Sequence, residues 1–187
     1  MATWTSSLTS FKGALKYGGA RPSLFEFNIS AVPTGVTAFT DLKYFCTVSA
    51  LPPLTVTPIE RQYFGRTVKM PGDLVFGDLS TTIIQTESAD ERNSIEQWMD
   101  KINSHLGNTR DYGPGMGADW GTATLTQYAK DGTTALMTVT FEGVWPTTIS
   151  EIALSYDTVS DIEQYDVTWA YQYYTILGTD VAVTDQG

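Results

Sequence analysis

The chain has 187 residues, of which 21 are acidic, 11 are basic and 28 are threonine, and its formal net charge is −10. This length allows one domain with a sizeable core, and abundant threonine with ten tyrosines favours half-buried strands. One histidine and one cysteine exclude an internal disulfide, a catalytic triad and an ordinary zinc or iron site. No run of about 18 apolar residues occurs, so the sequence predicts no transmembrane helix and no membrane anchoring.

Charge is unevenly distributed along the chain. Residues 1–110 contain ten basic and ten acidic side chains, whereas residues 111–187 contain eleven acidic side chains and one basic side chain, Lys130. An acidic surface repels nucleic acid, because phosphate binding requires Lys and Arg. The acidic part indicates either simple solubility or a surface along which another polyanion slides without binding, and the sequence leaves both interpretations open.

The predicted organisation is one domain between two short ends. Residues 1–19 predict an N-terminal arm that is flexible or ordered by a partner, residues 20–177 a single β domain, and residues 178–187 a C-terminal tail. Period-two alternation predicts strands at 24–30, 42–50, 79–86, 120–130, 133–145 and 163–176, with a short edge segment at 149–154. Asp131-Gly132 predicts a hairpin turn, and Cys46 is expected in the core.

A stretch near the middle of the chain combines apolar side chains with prolines. Residues 51–59 contain three prolines, and proline cannot donate to a central ladder. This segment is therefore expected to form an extended edge or a projecting loop, whose apolar side chains a neighbouring chain would cover. Residues 63–76 predict a hairpin with Pro71-Gly72-Asp73 as its turn.

Only one segment, at about 88–106, clearly predicts a helix. Ser88 and Glu91 have capping-box spacing, and Gly107 is expected at the C-cap. Apolar residues at helical spacing form a core stripe that should seal the sheet: Ile95, Trp98, Met99, Ile102 and Leu106. With seven to nine strands, the predicted fold is mainly β, an antiparallel β-sandwich or β-barrel with this one flanking α-helix.

The sequence does not favour catalysis. His105, at the helix end, is expected to interact with the helix dipole. A sugar site could be assembled from Asp157, Asp161, Glu163, Asp166, Tyr156, Tyr165 and Trp169. Strand ends and loops of a β domain explain the same residues, so we predict no enzyme activity, no metal and no cofactor. A carbohydrate-binding or hydrolysing β-sandwich remains the alternative of a different class.

Several ordered stretches resemble a known family. They are ARPSLFEFNIS (20–30), CTVSALP (46–52), GRTVKMPGDLVFGDLSTTII (65–84), the helix with Trp98, QYAKDG (127–132), FEGVWPTTISEIALSYD (141–157) and IEQYDVTWAYQYY (162–174). In this order, and over most of residues 20–174, the chain resembles the tail tube proteins of T-even-type contractile-tailed bacteriophages. Tube proteins of type VI secretion and of phage-like bacteriocins are similar in design.

The resemblance implies a structural virion protein. Subunits of that family form hexameric rings, which stack into a hollow tube inside a contractile sheath, and one sheet of each subunit joins a continuous inner barrel. The implied partners are other copies of the chain and the sheath, baseplate or tube-initiator, and tail terminator proteins. The tape-measure protein and genomic DNA would pass through the bore without specific binding, and assembly would take place in the host bacterial cytoplasm. A tube subunit of a phage-like contractile injection particle is an alternative.

Two further groups of candidate residues follow from the pattern and the resemblance together. The stretches 20–30, 46–52 and 65–78 are expected at interfaces, with subunit-interface candidates Leu51, Leu54, Val56, Ile59, Tyr63, Phe64, Arg66, Val68, Met70, Leu74 and Phe76. The acidic bore candidates are Glu142, Asp157, Asp161, Glu163 and Asp166.

Overall fold

The computed structural model describes residues 8–15, 19–109, 119–157, 161–178 and 181–182. In these ranges it contains the helices α1 (Leu8–Ala14), α2 (Leu42–Phe45) and α3 (Asp90–Ile102). Its strands are β1 (Phe25–Ala31), β2 (Cys46–Ser49), β3 (Leu54–Tyr63), β4 (Arg66–Phe76), β5 (Leu79–Ile84), β6 (Gly121–Tyr128), β7 (Ala135–Ile149), β8 (Gln164–Ala170), β9 (Tyr173–Gly178) and β10 (Val181–Ala182). The predicted mainly β, antiparallel class is confirmed, whereas the short helices α1 and α2 were not predicted.

Strand β7 joins two halves of the main sheet. The strand order is β1-β6-β7-β8-β5-β2, and β9 pairs with β7 and β10. Between Met137 and Glu142, β7 pairs with both β6 and β9, and from Trp145 to Ile149 it pairs with β8. Gly143 lies at this change of partner with a φ of +67°, a backbone conformation that glycine adopts without the steric cost of a Cβ.

Alternating side chains from both halves of the sheet meet in one core. Phe27 and Phe141 point inward from one half, Val167 and Trp169 point inward from the other, and all four are completely buried. Cys46 lies in the same core, where burial raises the pKa of its thiol to about 12. A thiol with so high a pKa is not a reactive nucleophile, so Cys46 packs as a small apolar residue.

Helix α3 closes the core with one apolar face. Ile95 and Trp98 are completely buried, and Met99 and Ile102 pack at the margin of the core. The indole Nε1 of Trp98 donates a 2.8 Å hydrogen bond to the carbonyl oxygen of Asp119. The largest side chain of the helix is thereby buried with its polar atom paired.

The predicted capping box at the start of this helix is wrong. The helix begins at Asp90 after Ala89, whose φ of +55° is left-handed, and no side chain caps it. The hydroxyl of Ser88 lies 3.1 Å from the hydroxyl of Thr86 instead. Thr86 also donates to the Glu91 carboxylate at 3.2 Å, so Glu91 pairs with Thr86 and not with the backbone of Ser88.

The predicted end of the helix is also wrong. Asn103 has an extended backbone, with φ of −150° and ψ of 109°, and ends the helix after Ile102. The chain beyond this point no longer follows the helical period, so Leu106 is fully exposed and does not belong to the core stripe. Gly107 accordingly lies outside the helix and is not its C-cap.

The hairpin of β3 and β4 turns at a different place from the one predicted. Its turn is Phe64-Gly65, whose φ angles of 45° and 76° fit a two-residue type I′ turn. The segment Pro71-Gly72-Asp73 lies within β4, with Pro71 opposite Pro58 beside a register shift. Proline is tolerated at such a bulge, which is why the predicted turn residues occur inside a strand.

Two other strand predictions are wrong in their extent. Residues 42–45 form α2, so the predicted strand at 42–50 begins at Cys46. The predicted strand at 163–176 is two strands. β8 ends at Ala170 and pairs with the later part of β7, whereas β9 begins at Tyr173 and pairs with the earlier part of β7.

Strand β7 itself continues past the point where the sequence predicted its end. It runs through Trp145-Pro146 to Ile149, with Pro146 opposite Trp169 next to a register shift. The described residues 150–154 form no strand, in contrast to the predicted edge segment at 149–154.

The two ends of the chain are only partly described. The predicted arm 1–19 contains α1, and the predicted tail 178–187 contains β10, which pairs with β9. The other residues of the tail after Gly178, residues 1–7 and 16–18 of the arm, and residues 110–118 lie outside the described part. None of the described helices is both long enough and apolar enough to span a membrane.

Candidate functional site

The hairpin, residues 54–76, forms a two-stranded sheet separate from the main sheet. Every strand residue of the hairpin is exposed except Gly72 and Phe76. A two-stranded hairpin is marginally stable by itself in water, and a contiguous exposed apolar surface marks an interaction site. The hairpin is therefore the candidate functional site of the chain.

The outer part of the hairpin has one polar face and one face that is apolar and basic. Side chains alternate along a strand and cross-strand partners share a face, so the register defines a tip face of Ile59, Arg61, Tyr63, Arg66, Val68 and Met70. On the other face Glu60 pairs with Lys69 at 3.1 Å, and Gln62 donates to Thr67 at 2.9 Å. The polar side chains of this second face thus pair within the hairpin, whereas none of the described residues covers the tip face.

The apolar surface changes face along the hairpin. Closer to the main sheet, the cross-strand pairs Leu54–Phe76 and Val56–Leu74 lie on the face opposite to the tip face. The change occurs at a bulge that includes Gly72, where a Cβ would clash with the carbonyl oxygen of Thr57 and lie 2.9 Å from Cγ1 of Ile59. The hairpin therefore presents apolar surface in two opposite directions.

The base of the hairpin is fixed to the main sheet by aromatic contacts. The Phe76 ring lies 6.0 Å from the ring of Tyr171 and 5.4 Å from that of Tyr174, both edge-on. The Tyr171 hydroxyl donates to the carbonyl oxygen of Gly77 at 2.7 Å. Burial, with smaller effects of Tyr174 and Asp78, raises the pKa of Tyr171 to about 12. The anchor residue Phe76 thus differs from the other interface candidates, which are exposed.

The five acidic candidates fall into three different places. Glu142 points outward from β7 and accepts a 3.1 Å hydrogen bond from Thr122. Asp166 lies on β8 and accepts a 2.6 Å hydrogen bond from Thr82. The remaining three are exposed and lie in the segment between β7 and β8: Asp157, Asp161 and Glu163.

Comparison with known proteins identifies the family. The sequence model of the phage tail tube protein family matches residues 20–177. The chain belongs to this family. It is 30% identical over 156 residues to the tail tube protein gp19 of Enterobacteria phage T4, a match that covers 83% of this chain and 90% of gp19. The gp19 of Enterobacteria phage T6 is 31% identical over the same coverage.

Solved structures of contractile particles share the fold of this tail tube protein. A chain of the six-fold symmetrised baseplate of the anti-feeding prophage superposes with a TM-score of 0.64 at 11% identity, covering 87% of this chain and 98% of that chain. A chain of the sheath–tube complex of an extracellular contractile injection system, PVC, superposes with a TM-score of 0.57 at 18% identity, covering 93% and 99%. At these identities the likeness concerns the fold alone.

Membership of the family assigns the chain a structural role. Tail tube proteins are structural components of the virion, not enzymes. The residues weighed above for a sugar site agree with this role, because Tyr165 and Trp169 are buried in the core and cannot stack on a sugar. Burial also raises the pKa of Tyr165.

His105 lies beyond the helix end with its Nδ1 3.4 Å from Oδ1 of Asp100. The described residues contain no cluster that could hold a metal.

The structure adds surface residues that the sequence pattern did not reveal. Arg61 lies on the tip face beside Val68, although it was not among the interface candidates. Leu154, Tyr156 and Ile162 are strongly exposed in the segment between β7 and β8. The sequence predicted only a short edge segment at 149–154 in this part of the chain, and the described residues 150–157 and 161–163 form no strand.

Proposed function

We propose that this tail tube protein self-assembles into hexameric rings, which stack to form the inner tube of a contractile tail. The observation that carries this proposal is the exposed hairpin. Ile59, Val68 and Met70 are 44–47% exposed in the single chain, and burying apolar side chains of this size contributes roughly 1 kcal/mol each. Neighbouring copies that cover both apolar faces of the hairpin would supply this stabilisation at every subunit.

Open strand edges support ring closure. Strand β1 pairs only with β6, and β2 only with β5, among the strands of the described residues. Such edges are templates for pairing with another chain. Strand addition between copies would use these edges to make one continuous barrel in each ring, in agreement with the interface stretches 20–30 and 46–52.

The composition of the sheet supports a channel for DNA. Strands β1, β6, β7 and β9 contain no Lys or Arg. Their outward side chains include a cross-strand row of hydroxyl and amide groups, Asn28, Thr124, Thr140 and Thr175. We infer that this face lines the bore together with Glu142. Without cations to bind phosphate, DNA and the tape-measure protein would pass over it without being retained.

The proposed tube also places α3 and the partner proteins relative to the bore. A helix cannot be part of a bore built from continuous strands, so α3 would lie outside the inner barrel. Its exposed side, which carries Glu96 and Asp100, would then lie near a neighbouring subunit or the sheath. Baseplate and terminator proteins would meet the two ends of the stack, and assembly would occur in the cytoplasm of the bacterial host before the tail joins the virion.

Solution assembly tests the proposal. We expect purified protein to elute as rings or longer assemblies in size-exclusion chromatography and to show hollow tubes by negative-stain microscopy. A protein that stays monomeric at high concentration and is retained on a polysaccharide column would contradict the tube and favour a carbohydrate-binding domain.

A further inference from the structure

The tip face of the hairpin is basic as well as apolar. Arg61 and Arg66 lie on it between Ile59, Val68 and Tyr63, and neither arginine takes part in an ion pair with the described residues. A surface that covers the tip face must therefore supply both apolar contacts and carboxylates.

One cleft of the chain offers this combination. It lies in the segment between β7 and β8, has a volume of about 630 Å³ and is lined by residues that include Leu154, Tyr156, Asp161, Ile162 and Glu163. Leu154 is 80% exposed and Ile162 is 68% exposed. Asp161 and Glu163 are exposed and, like the two arginines, form no ion pair with the described residues.

We propose that the tip face of one copy docks into this cleft of a neighbouring copy. The proposal rests on the self-assembly proposed above and specifies the contact. Ile59, Val68 and Met70 would pack on Leu154 and Ile162, while Arg61 and Arg66 would pair with Asp161 and Glu163. The occupant is a second copy of the chain, because the two surfaces complement each other in charge and none of the described residues covers either of them.

This contact gives two of the acidic candidates a different role from the bore. Asp161 and Glu163 would belong to a junction between subunits, whereas Glu142 remains with the bore face. The acidic excess of the C-terminal part would then serve assembly as well as DNA passage, because pairs of opposite charge select the correct partner and register.

A cysteine cross-linking experiment tests the contact directly. Chains that carry Ile59→Cys, Val68→Cys or Met70→Cys are each mixed with a tagged chain that carries Leu154→Cys or Ile162→Cys, assembled and oxidised. The native Cys46 is buried and should not compete. We expect a disulfide-linked heterodimer for at least one of these pairs. Gln62→Cys and Thr67→Cys, on the polar face of the same hairpin, are matched controls that should give none.

Charge reversal gives a second measurement. The double variant Arg61→Glu, Arg66→Glu should raise the concentration needed for assembly about tenfold or more. Asp161→Arg, Glu163→Arg should do the same, and the four changes combined should restore assembly. Lys130→Glu, an exposed change at the turn between β6 and β7, alters the net charge in the same direction away from the hairpin and should assemble normally.

The outcomes separate this contact from the proposed function. Tubes that form without any tip-to-cleft disulfide and without rescue by the combined variant would overturn the docking and leave the tube intact. Cross-links from the control positions as strong as those from the tip face would also overturn it. A wild-type chain that never assembles would overturn both proposals.

Discussion

The indole ring of Trp98 on α3 packs against the backbone of Gly121 at the start of β6. A Cβ at Gly121 would lie 2.6 Å from Cη2 of Trp98 and would also clash with the carbonyl oxygen of Ala31. This close approach lets the helix lie directly on the sheet, and it makes residue 121 a position where only glycine fits.

Substitution at this contact should destabilise the monomer. Gly121→Ala forces the helix or the strand to shift, so we expect the free energy of unfolding to fall by about 1–3 kcal/mol in urea denaturation. Gly13→Ala in α1 is the control, because no atom of the described residues lies within 4 Å of the added Cβ, and it should cause no loss. An unchanged stability of Gly121→Ala would contradict the packing described for α3.

The ends of the helix should differ in their sensitivity to mutation. Ser88→Ala and Leu106→Ala should change the free energy of unfolding by less than about 0.5 kcal/mol, because neither residue caps or packs the helix. Ile95→Ala removes a completely buried side chain and should cost about 2–5 kcal/mol. Chemical denaturation of the three variants would refute this assignment if Ser88→Ala lost as much stability as Ile95→Ala.

The turn between β6 and β7 should titrate at low pH. The hydroxyl and backbone N–H of Thr134 and the backbone N–H of Thr133 donate to the Asp131 carboxylate, which lowers the pKa of Asp131 to about 2. A lowered pKa means that the ionised form stabilises the fold above the unfolded pKa of about 3.9 and that this stabilisation is lost as the pH falls to about 2. The difference in melting temperature between wild type and Asp131→Asn should therefore shrink over this interval. A melting-temperature difference between the two proteins that stays constant from pH 6 to pH 2 would contradict the lowered pKa of Asp131.

The two faces of the hairpin tip should respond differently to added charge. Val68→Asp puts a carboxylate on the tip face and should block assembly while leaving a folded monomer, because that face is exposed in the single chain. Thr67→Asp puts the same group on the polar face and should assemble. Circular dichroism checks the fold and sedimentation checks the assembly; equal sedimentation of the two variants would argue against the tip face.

Added cations on the proposed bore face should affect DNA passage more than assembly. Thr124→Lys with Thr140→Lys places two positive charges on adjacent strands of the row described above, where they would bind phosphate. We expect tubes of normal length in particles whose DNA ejection is slowed. Thr148→Lys, an exposed change on the part of β7 that pairs with β8, is the control. Unslowed ejection would remove this face from the bore.

Period and composition were sufficient to predict the fold class and the buried face of α3. Thr-rich alternation indicated antiparallel strands, and helical spacing indicated Ile95 and Trp98. Such patterns fail where the backbone departs from its period. The helix begins after Ala89, which has a left-handed conformation, so the predicted cap at Ser88 does not form. Pro71 and Pro146 were predicted to lie in a turn and at a strand end, but each lies inside a strand beside a bulge.

The candidate site could be predicted only in part for a related reason. The sequence indicated that the apolar side chains of residues 51–59 would be exposed in a single chain and covered by a neighbouring one. The structure shows that nearly every strand residue of the hairpin is exposed. It did not indicate which face each residue occupies, because a one-residue bulge exchanges the two faces of every later position. In the part of the chain that forms the cleft, the sequence predicted only a short edge segment at 149–154, and it is the fold that brings Leu154 and Ile162 into one lining.

A cryo-electron microscopy reconstruction of the purified, assembled protein tests the central claim most directly. We expect stacked hexameric rings around an open channel, with the hairpin of each copy covered by neighbouring copies. Particles that are single subunits, or assemblies that leave the hairpin exposed to solvent, would contradict the account.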